Sequence, residues 1–123
     1  MSGNPVVWFE IYVQDMARAK AFYEGVLQRK LERLNMPEPE MWAFDMDMAA
    51  NGAGGALVRM AGCPSGGNSV LVYFSCEDCA VEEARIAAHG GRVERSKMSI
   101  GEYGFIALAY DTEGNLFGLH SLR

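Results

Sequence analysis

Long apolar runs are missing from this sequence: no stretch approaches the roughly 18 consecutive apolar residues of a membrane span. A basic excess is missing too. Lys plus Arg number 11 against 16 Asp plus Glu, a net charge of −5, so the lysine- and arginine-rich face that phosphate backbones require is not expected. Histidine occurs twice and cysteine three times, which fits reduced thiols rather than a disulfide framework. The first ten residues, MSGNPVVWFE, carry neither the basic start nor the small-residue cleavage site of a secretory leader. Between Met48 and Cys76 there is no Asp, Glu or His at all. Half of the 123 residues are hydrophobic and 22% charged, as in an ordinary globular protein. At this length one domain is expected, large enough to fold without disulfide or metal staples. The composition points to a soluble cytoplasmic protein with no nucleic-acid or membrane partner.

The apolar pattern repeats. Val6–Val13 is strand-like; Asp15 is suited to cap a helix; behind it Ala19, Phe22, Tyr23, Val26 and Leu27 mark one face of a helix over Met16–Gln28. Prolines 37 and 39 lie in a loop, Met41–Met48 reads as a strand, Gly52–Gly55 as a break, and Ala56–Met60 as another strand. After a linker at about residues 62–68, Ser69–Cys76 reads as a strand and Asp78 as the cap of a second helix with apolar positions Val81, Ala84, Ala87 and Ala88. His89-Gly90-Gly91 stops that helix. Strands near Arg92–Arg95, at Tyr103–Tyr110 and at Leu116–Leu122 follow, the last two joined by the turn Asp111–Asn115. An offset of 63 residues sets Asp15 on Asp78, Ala17 on Ala80, Ala21 on Ala84 and Arg29 on Arg92, which indicates an internal duplication. The expected class is α+β, with one strand–helix–three-strand module at about 5–61 and a second at about 69–123.

Two βαβββ modules in a chain of this length resemble the vicinal oxygen chelate superfamily of glyoxalases, bleomycin-resistance proteins and extradiol dioxygenases. Val13-Gln14-Asp15 followed by Ala19, Phe22 and Tyr23 is similar to the family's V-x-D-x-x-x-A-x-x-F-Y junction, and Asp111-Thr112-Glu113-Gly114-Asn115 to its D-P-x-G-N turn, with Thr112 where proline is usual. The resemblance implies a mixed sheet folded into a cup with helices outside, a small-molecule site in the cup, and a homodimer. It also implies metal ligands on the first and last strands of each module. Here the matching positions are Trp8, Leu71, Gly118 and a residue near Ala56. Across the four strands only Glu10 and His120 offer donors, fewer than the three protein ligands usual at a catalytic zinc or iron. No metal or other cofactor is expected.

Strand alternation places Trp8, Glu10 and Tyr12 on one face, and Leu71, Tyr73 and Ser75 on another. The resemblance makes those faces, with Gly118, the interior of the cup and the ligand-binding surface, while Phe9, Ile11, Val72 and Phe74 pack under helices. Glu10 beside aromatic rings is suited to acid/base work if burial raises its pKa; alternatively it pairs with an arginine or water and supports the fold. His120 is a candidate assistant or a solvated terminal residue; His89 is a helix-end residue. Trp42, Tyr103, Phe44 and Phe105 are candidates for an aromatic lining, the last two reading better as core. Met36, Met41, Met46 and Met48 suit either an adaptable pocket or simple gap filling. Cys76-Glu77-Asp78-Cys79 has redox-motif spacing, but its acidic middle disfavours a thiolate, so both thiols are expected to be inert. No G-x-G-x-x-G follows a strand and no serine has a His/Asp relay.

Three functions remain. The leading one is metal-free binding of a small, partly aromatic molecule in the cup. The second is a glyoxalase-related lyase, isomerase or epimerase with Glu10 as acid/base, and the third a metal-dependent lyase or dioxygenase.

Overall fold

The computed structural model describes residues 3–46, 52–66, 70–112 and 114–123, with the side chain of Val26 excepted. Met48 and Ser69, named above as strand residues, lie outside that set. The chain divides into two compact units, Trp8–Val70 and Met1–Val7 with Leu71–Arg123.

In the first unit the strand β1 (Val6–Tyr12) leads into the helix α1 (Met16–Leu27) and then β2 (Glu32–Arg33), β3 (Glu40–Ala43) and β4 (Gly54–Arg59). Asp15 caps α1 as its sequence position suggests, its side chain accepting from the Arg18 N–H at 3.0 Å. Gln28 ends the helix in the left-handed region, φ 56°, and its side-chain amide donates to the Gly25 carbonyl at 2.9 Å. The strand order is β2-β3-β4-β1, with β1 parallel to β4 and the other pairs antiparallel.

The second unit repeats this plan. Its strand β5 (Val70–Ser75) leads into α2 (Cys79–Ile86), a short 3₁₀ turn at Ala87–His89, β6 (Arg92–Ser99), β7 (Phe105–Tyr110) and β8 (Leu116–Ser121). The order is β5-β8-β7-β6, again with the first strand parallel to the last and the other pairs antiparallel. The Pro5 carbonyl accepts from the Ser75 N–H at 2.9 Å, which ties the N-terminal residues to this unit. Gly90, at φ 94°, supplies the left-handed turn after the helix.

Among the described residues, eight strands and two α-helices form the α+β arrangement expected. Several element boundaries differ from the sequence reading. Gly54 and Gly55 belong to β4 and are not a break: a Cβ at Gly55 would fall 2.3 Å from the Phe9 ring, and one at Gly54 3.2 Å from Trp8 and 2.7 Å from the Met46 sulfur. These glycines are strand positions covered by aromatic and thioether side chains. Tyr103 lies in a 3₁₀ turn at Gly101–Tyr103, before β7 begins. β6 continues to Ser99 instead of ending near Arg95, and register shifts along it against β7 interrupt the alternation that sequence reading depends on. β2 is two residues of charged sequence and carries no apolar signal.

Each unit packs its helix on one sheet face. Under α1, Val13, Met16, Leu31 and Leu57 are buried with Ile11, Tyr23, Trp42 and Phe44 against them, and Phe44 stands 5.6 Å from Phe9 and 5.9 Å from Tyr23. Trp42, Phe44 and Phe105 are therefore helix-side packing residues. Under α2, fully buried Cys79 packs with Ala107, Leu119, Phe74 and Phe105. The Ser121 hydroxyl, 1% exposed, accepts from the Cys79 N–H at 3.0 Å and donates to the Arg123 carbonyl at 2.9 Å, satisfying a helix-start donor that water does not reach. Ser121→Ala orphans that N–H; the expected result is a loss of about 1–3 kcal/mol in unfolding free energy, measured by urea denaturation.

Candidate functional site

Alternation along β1 turns Trp8, Glu10 and Tyr12 to the face opposite α1, and the parallel register sets them beside Gly54, Ala56 and Val58 of β4. Met41, Ala43, Ala56 and Val58 are buried on this side, with Trp8, Tyr12, Leu34 and Met36 packed on them. Small residues at 43, 54 and 56 leave the room that the large β1 side chains occupy.

Glu10 sits in the middle of this surface, 8% exposed. Its two oxygens are held from both sides along its own strand. The Trp8 indole N–H donates to Oε2 at 3.1 Å and the Tyr12 hydroxyl donates to Oε1 at 2.6 Å. None of the ion pairs among the described residues includes Glu10, so the arginine partner considered from sequence is replaced by two neutral donors. Burial pushes the Glu10 carboxyl above its ordinary value of 4.5, and the bonds from Tyr12 and Trp8 pull in the other direction. The group is thus a buried carboxyl that takes up a proton more readily than a surface glutamate.

The second unit carries the other sequence candidates. Leu71 and Tyr73 are buried, at 5% and 6% exposure. Tyr73 pairs with Gly118 in the β5–β8 register, and a Cβ at Gly118 would collide with its ring, so the tyrosine occupies the space above the glycine. Ser75 is exposed at the end of its strand, opposite His120. His120 Nε2 lies 2.6 Å from the Tyr103 carbonyl; a carbonyl only accepts, which places the proton on Nε2 and leaves Nδ1 as the remaining ring nitrogen. Trp8, Glu10 and Tyr12 form one hydrogen-bonded group; in the other unit Tyr73 packs on Gly118, and Leu71 is buried two residues before it on the same strand.

The residues do not fit a divalent ion. At the positions that the resemblance assigns to ligands stand an indole, a methyl group, an isobutyl group and a glycine. No group of three or more His, Cys, Asp or Glu exists among the described residues. The cysteine pair does not supply a reactive thiolate either. Cys79 is wholly buried, and burial, reinforced by the Glu82 carboxylate, pushes the Cys76 thiol up to about 12.

Sequence reasoning missed the part played by Gly54 and Met46. The signal was present: Gly54-Gly55 runs without interruption into Ala-Leu-Val, and a glycine in such a strand marks a close approach by another group.

Because its native pKa is raised, Glu10 binds more proton in the folded than in the unfolded chain above pH 4.5, and its contribution to stability falls as pH rises through the raised value. Glutamine accepts from Trp8 and donates to Tyr12 without titrating. Wild-type stability relative to Glu10→Gln is therefore expected to be greatest below pH 4.5 and to decline toward neutrality in urea denaturation. Glu10→Leu instead strands the Trp8 indole N–H and should cost about 1–3 kcal/mol.

Comparison with known proteins agrees with this architecture. Residues 6–119 match the model of the Glyoxalase/Bleomycin resistance protein/Dioxygenase superfamily. No curated protein matches the sequence significantly. Among solved structures, a hypothetical protein of Bacillus halodurans C-125 is similar at a TM-score of 0.73 and 11% identity, covering 96% of this chain and 94% of its own. Streptomyces coelicolor methylmalonyl-CoA epimerase, in complex with 2-nitronate-propionyl-CoA, is similar at 0.69 and 16% identity, with 98% of each chain covered. A glyoxalase/bleomycin resistance protein/dioxygenase superfamily member of Vibrio splendidus 12B01 is similar at 0.65 and 20% identity, covering 94% of this chain and 97% of its own. At these identities the likeness is one of fold, and the family match spans nearly the whole sequence: this chain belongs to the Glyoxalase/Bleomycin resistance protein/Dioxygenase superfamily.

Proposed function

We propose that this chain binds a small, partly aromatic molecule on the Trp8–Glu10–Tyr12 face without a metal ion, and that it works as a homodimer in the cytoplasm. The observation that carries the reading is the use made of Glu10: both of its oxygens are engaged by Trp8 and Tyr12. In that position the carboxyl fixes two aromatic side chains at chosen angles, which is what an apolar binding wall with a few oriented polar groups requires. Tyr73 over Gly118 is a second aromatic wall of the same kind. Val7 on β1, and Met46 and Met60 beside the strands of the first unit, remain exposed, in keeping with a covered state in a dimer. Three free thiols suit a reducing compartment.

A second reading is favoured by one feature of the same residue. A carboxyl with a raised pKa holds and releases a proton at higher pH than an ordinary glutamate, as acid/base work favours, and methylmalonyl-CoA epimerases are among the chains of similar fold. Under it, Glu10 exchanges a proton with a carbon acid, and Tyr12 and Trp8 steady its charge.

Native mass spectrometry of protein purified without added metal or chelator tests the first reading. A dimer, bare or carrying an organic adduct, is expected; a dimer with one stoichiometric metal per chain contradicts it. Incubation with methylmalonyl-CoA in deuterated water tests the second. No deuterium incorporation is expected under the binding reading. Incorporation that Glu10→Gln slows by about 100-fold or more would establish the epimerase reading instead.

A further inference from the structure

A depression of about 320 Å³ lies on the helix side of the first unit, between α1 and β3 and away from the Glu10 face. Ala17 and Ala21 are too small to fill the gap between the helix and the Trp42 indole, and this leaves it open. The charged groups at its edge are arranged around that ring. The Lys20 ammonium stands 4.6 Å over the centre of the Trp42 ring and 3.5 Å from the Glu24 carboxylate. Glu24 is itself anchored, since its other oxygen accepts from the Leu31 N–H at 2.8 Å. That bond, together with Lys20, holds its carboxyl below the ordinary range, so the negative charge persists. The indole is anchored too: its N–H donates to Glu40 at 3.0 Å, and Arg59 approaches the second Glu40 oxygen at 3.6 Å.

An aromatic face with an ammonium over it and a carboxylate beside it is a recognition geometry for organic cations. Here a lysine of the same chain supplies the ammonium. Lys20 does so on a flexible four-carbon stem, through a partly exposed i,i+4 ion pair of a type that contributes little to stability. By contrast, Trp42 and Glu24 are each fixed by a hydrogen bond to a second group. Trp42 and Glu24 thus keep a hydrogen-bonded anchor when Lys20 leaves the ring. With Lys20 turned outward, Glu24 keeps the Leu31 N–H and the longer-range field of Lys30, while Glu40 keeps Arg59, so Glu24 is the carboxylate beside the ring that loses its direct ion pair.

We infer that the Trp42 depression is a second binding site, for a small organic cation bearing a primary or methylated ammonium group, whose position over the indole Lys20 takes in this structure. This site shares no residue with the Trp8–Glu10–Tyr12 face.

The two tryptophans of the sequence report the two places separately. In the ¹⁵N-labelled full chain, the two indole N–H signals are assigned with Trp42→Phe, and phenyltrimethylammonium chloride is titrated against a sodium chloride control of equal ionic strength. The expected result is a saturable shift of the Trp42 signal with the Trp8 signal unmoved, at a Kd of about 1 mM. Lys20→Met, which vacates the ring, is expected to tighten binding roughly threefold to tenfold. An unmoved Trp42 signal in Lys20→Met up to about 50 mM cation overturns the inference. Movement of Trp8 alone overturns it as well and assigns the cation to the other face. Tighter binding of sodium benzoate than of the cation, lost in Lys20→Met, would make the depression an anion site and also overturn it.

Discussion

A carboxyl group buried at the middle of a strand must find its hydrogen bonds inside the protein, because water no longer supplies them. Glu10 finds them two residues away in each direction, from the Trp8 indole and the Tyr12 hydroxyl. This arrangement needs the two-residue period of a strand, which turns all three side chains to one face. It also needs a neighbouring strand that yields space. β4 meets that need with Gly54 beside Trp8 and Ala56 beside Glu10, and Ala43 of β3 continues the small surface next to Ala56. The polar group and its apolar frame therefore specify one another: a larger residue at 54 meets the Trp8 ring, and without that ring the carboxyl loses a donor.

The second unit has the same topology with different chemistry. Tyr73 stands opposite Gly118 where Glu10 stands opposite Ala56. An aromatic ring lying on a glycine takes the place of a carboxyl held by aromatic donors. The two units share the frame of strands and helix, including the capping aspartates Asp15 and Asp78, and differ at the strand positions that face away from the helix. Asp78 also makes an ion pair with Lys97 at 2.8 Å, and the Cys79 N–H at the start of α2 donates to the Ser121 hydroxyl. Among the described residues, the strand positions that face away from the helix offer aromatic surface and one buried carboxyl in place of a set of metal donors.

Much of this was legible in the sequence, and for identifiable reasons. The helices followed from Asp15, Asp78 and the apolar spacing behind them, and the common face of Trp8, Glu10 and Tyr12 followed from alternation alone. What escaped were features set by contacts between segments distant in sequence. Gly54 and Gly55 read as a break because a glycine pair carries no record of the rings that cover it. Glu10 invited an arginine partner, since nothing in the residue order says that an indole and a phenol on its own strand will meet its two oxygens. β6 outran its predicted end because register shifts break the period. Trp42 was a candidate for the same lining as Trp8, yet alternation along β3 sends it to the helix side, where Lys20 covers it.

The account rests on Glu10 being a buried carboxyl whose proton affinity is set by its surroundings. A ¹³C NMR titration of the Glu10 side-chain carboxyl, assigned with Glu10→Gln, measures this directly. The account predicts a midpoint above the ordinary glutamate value of 4.5. A midpoint at or below that value would mean that the carboxyl is solvated or paired with a cation, and would contradict both the buried geometry and the functions built on it.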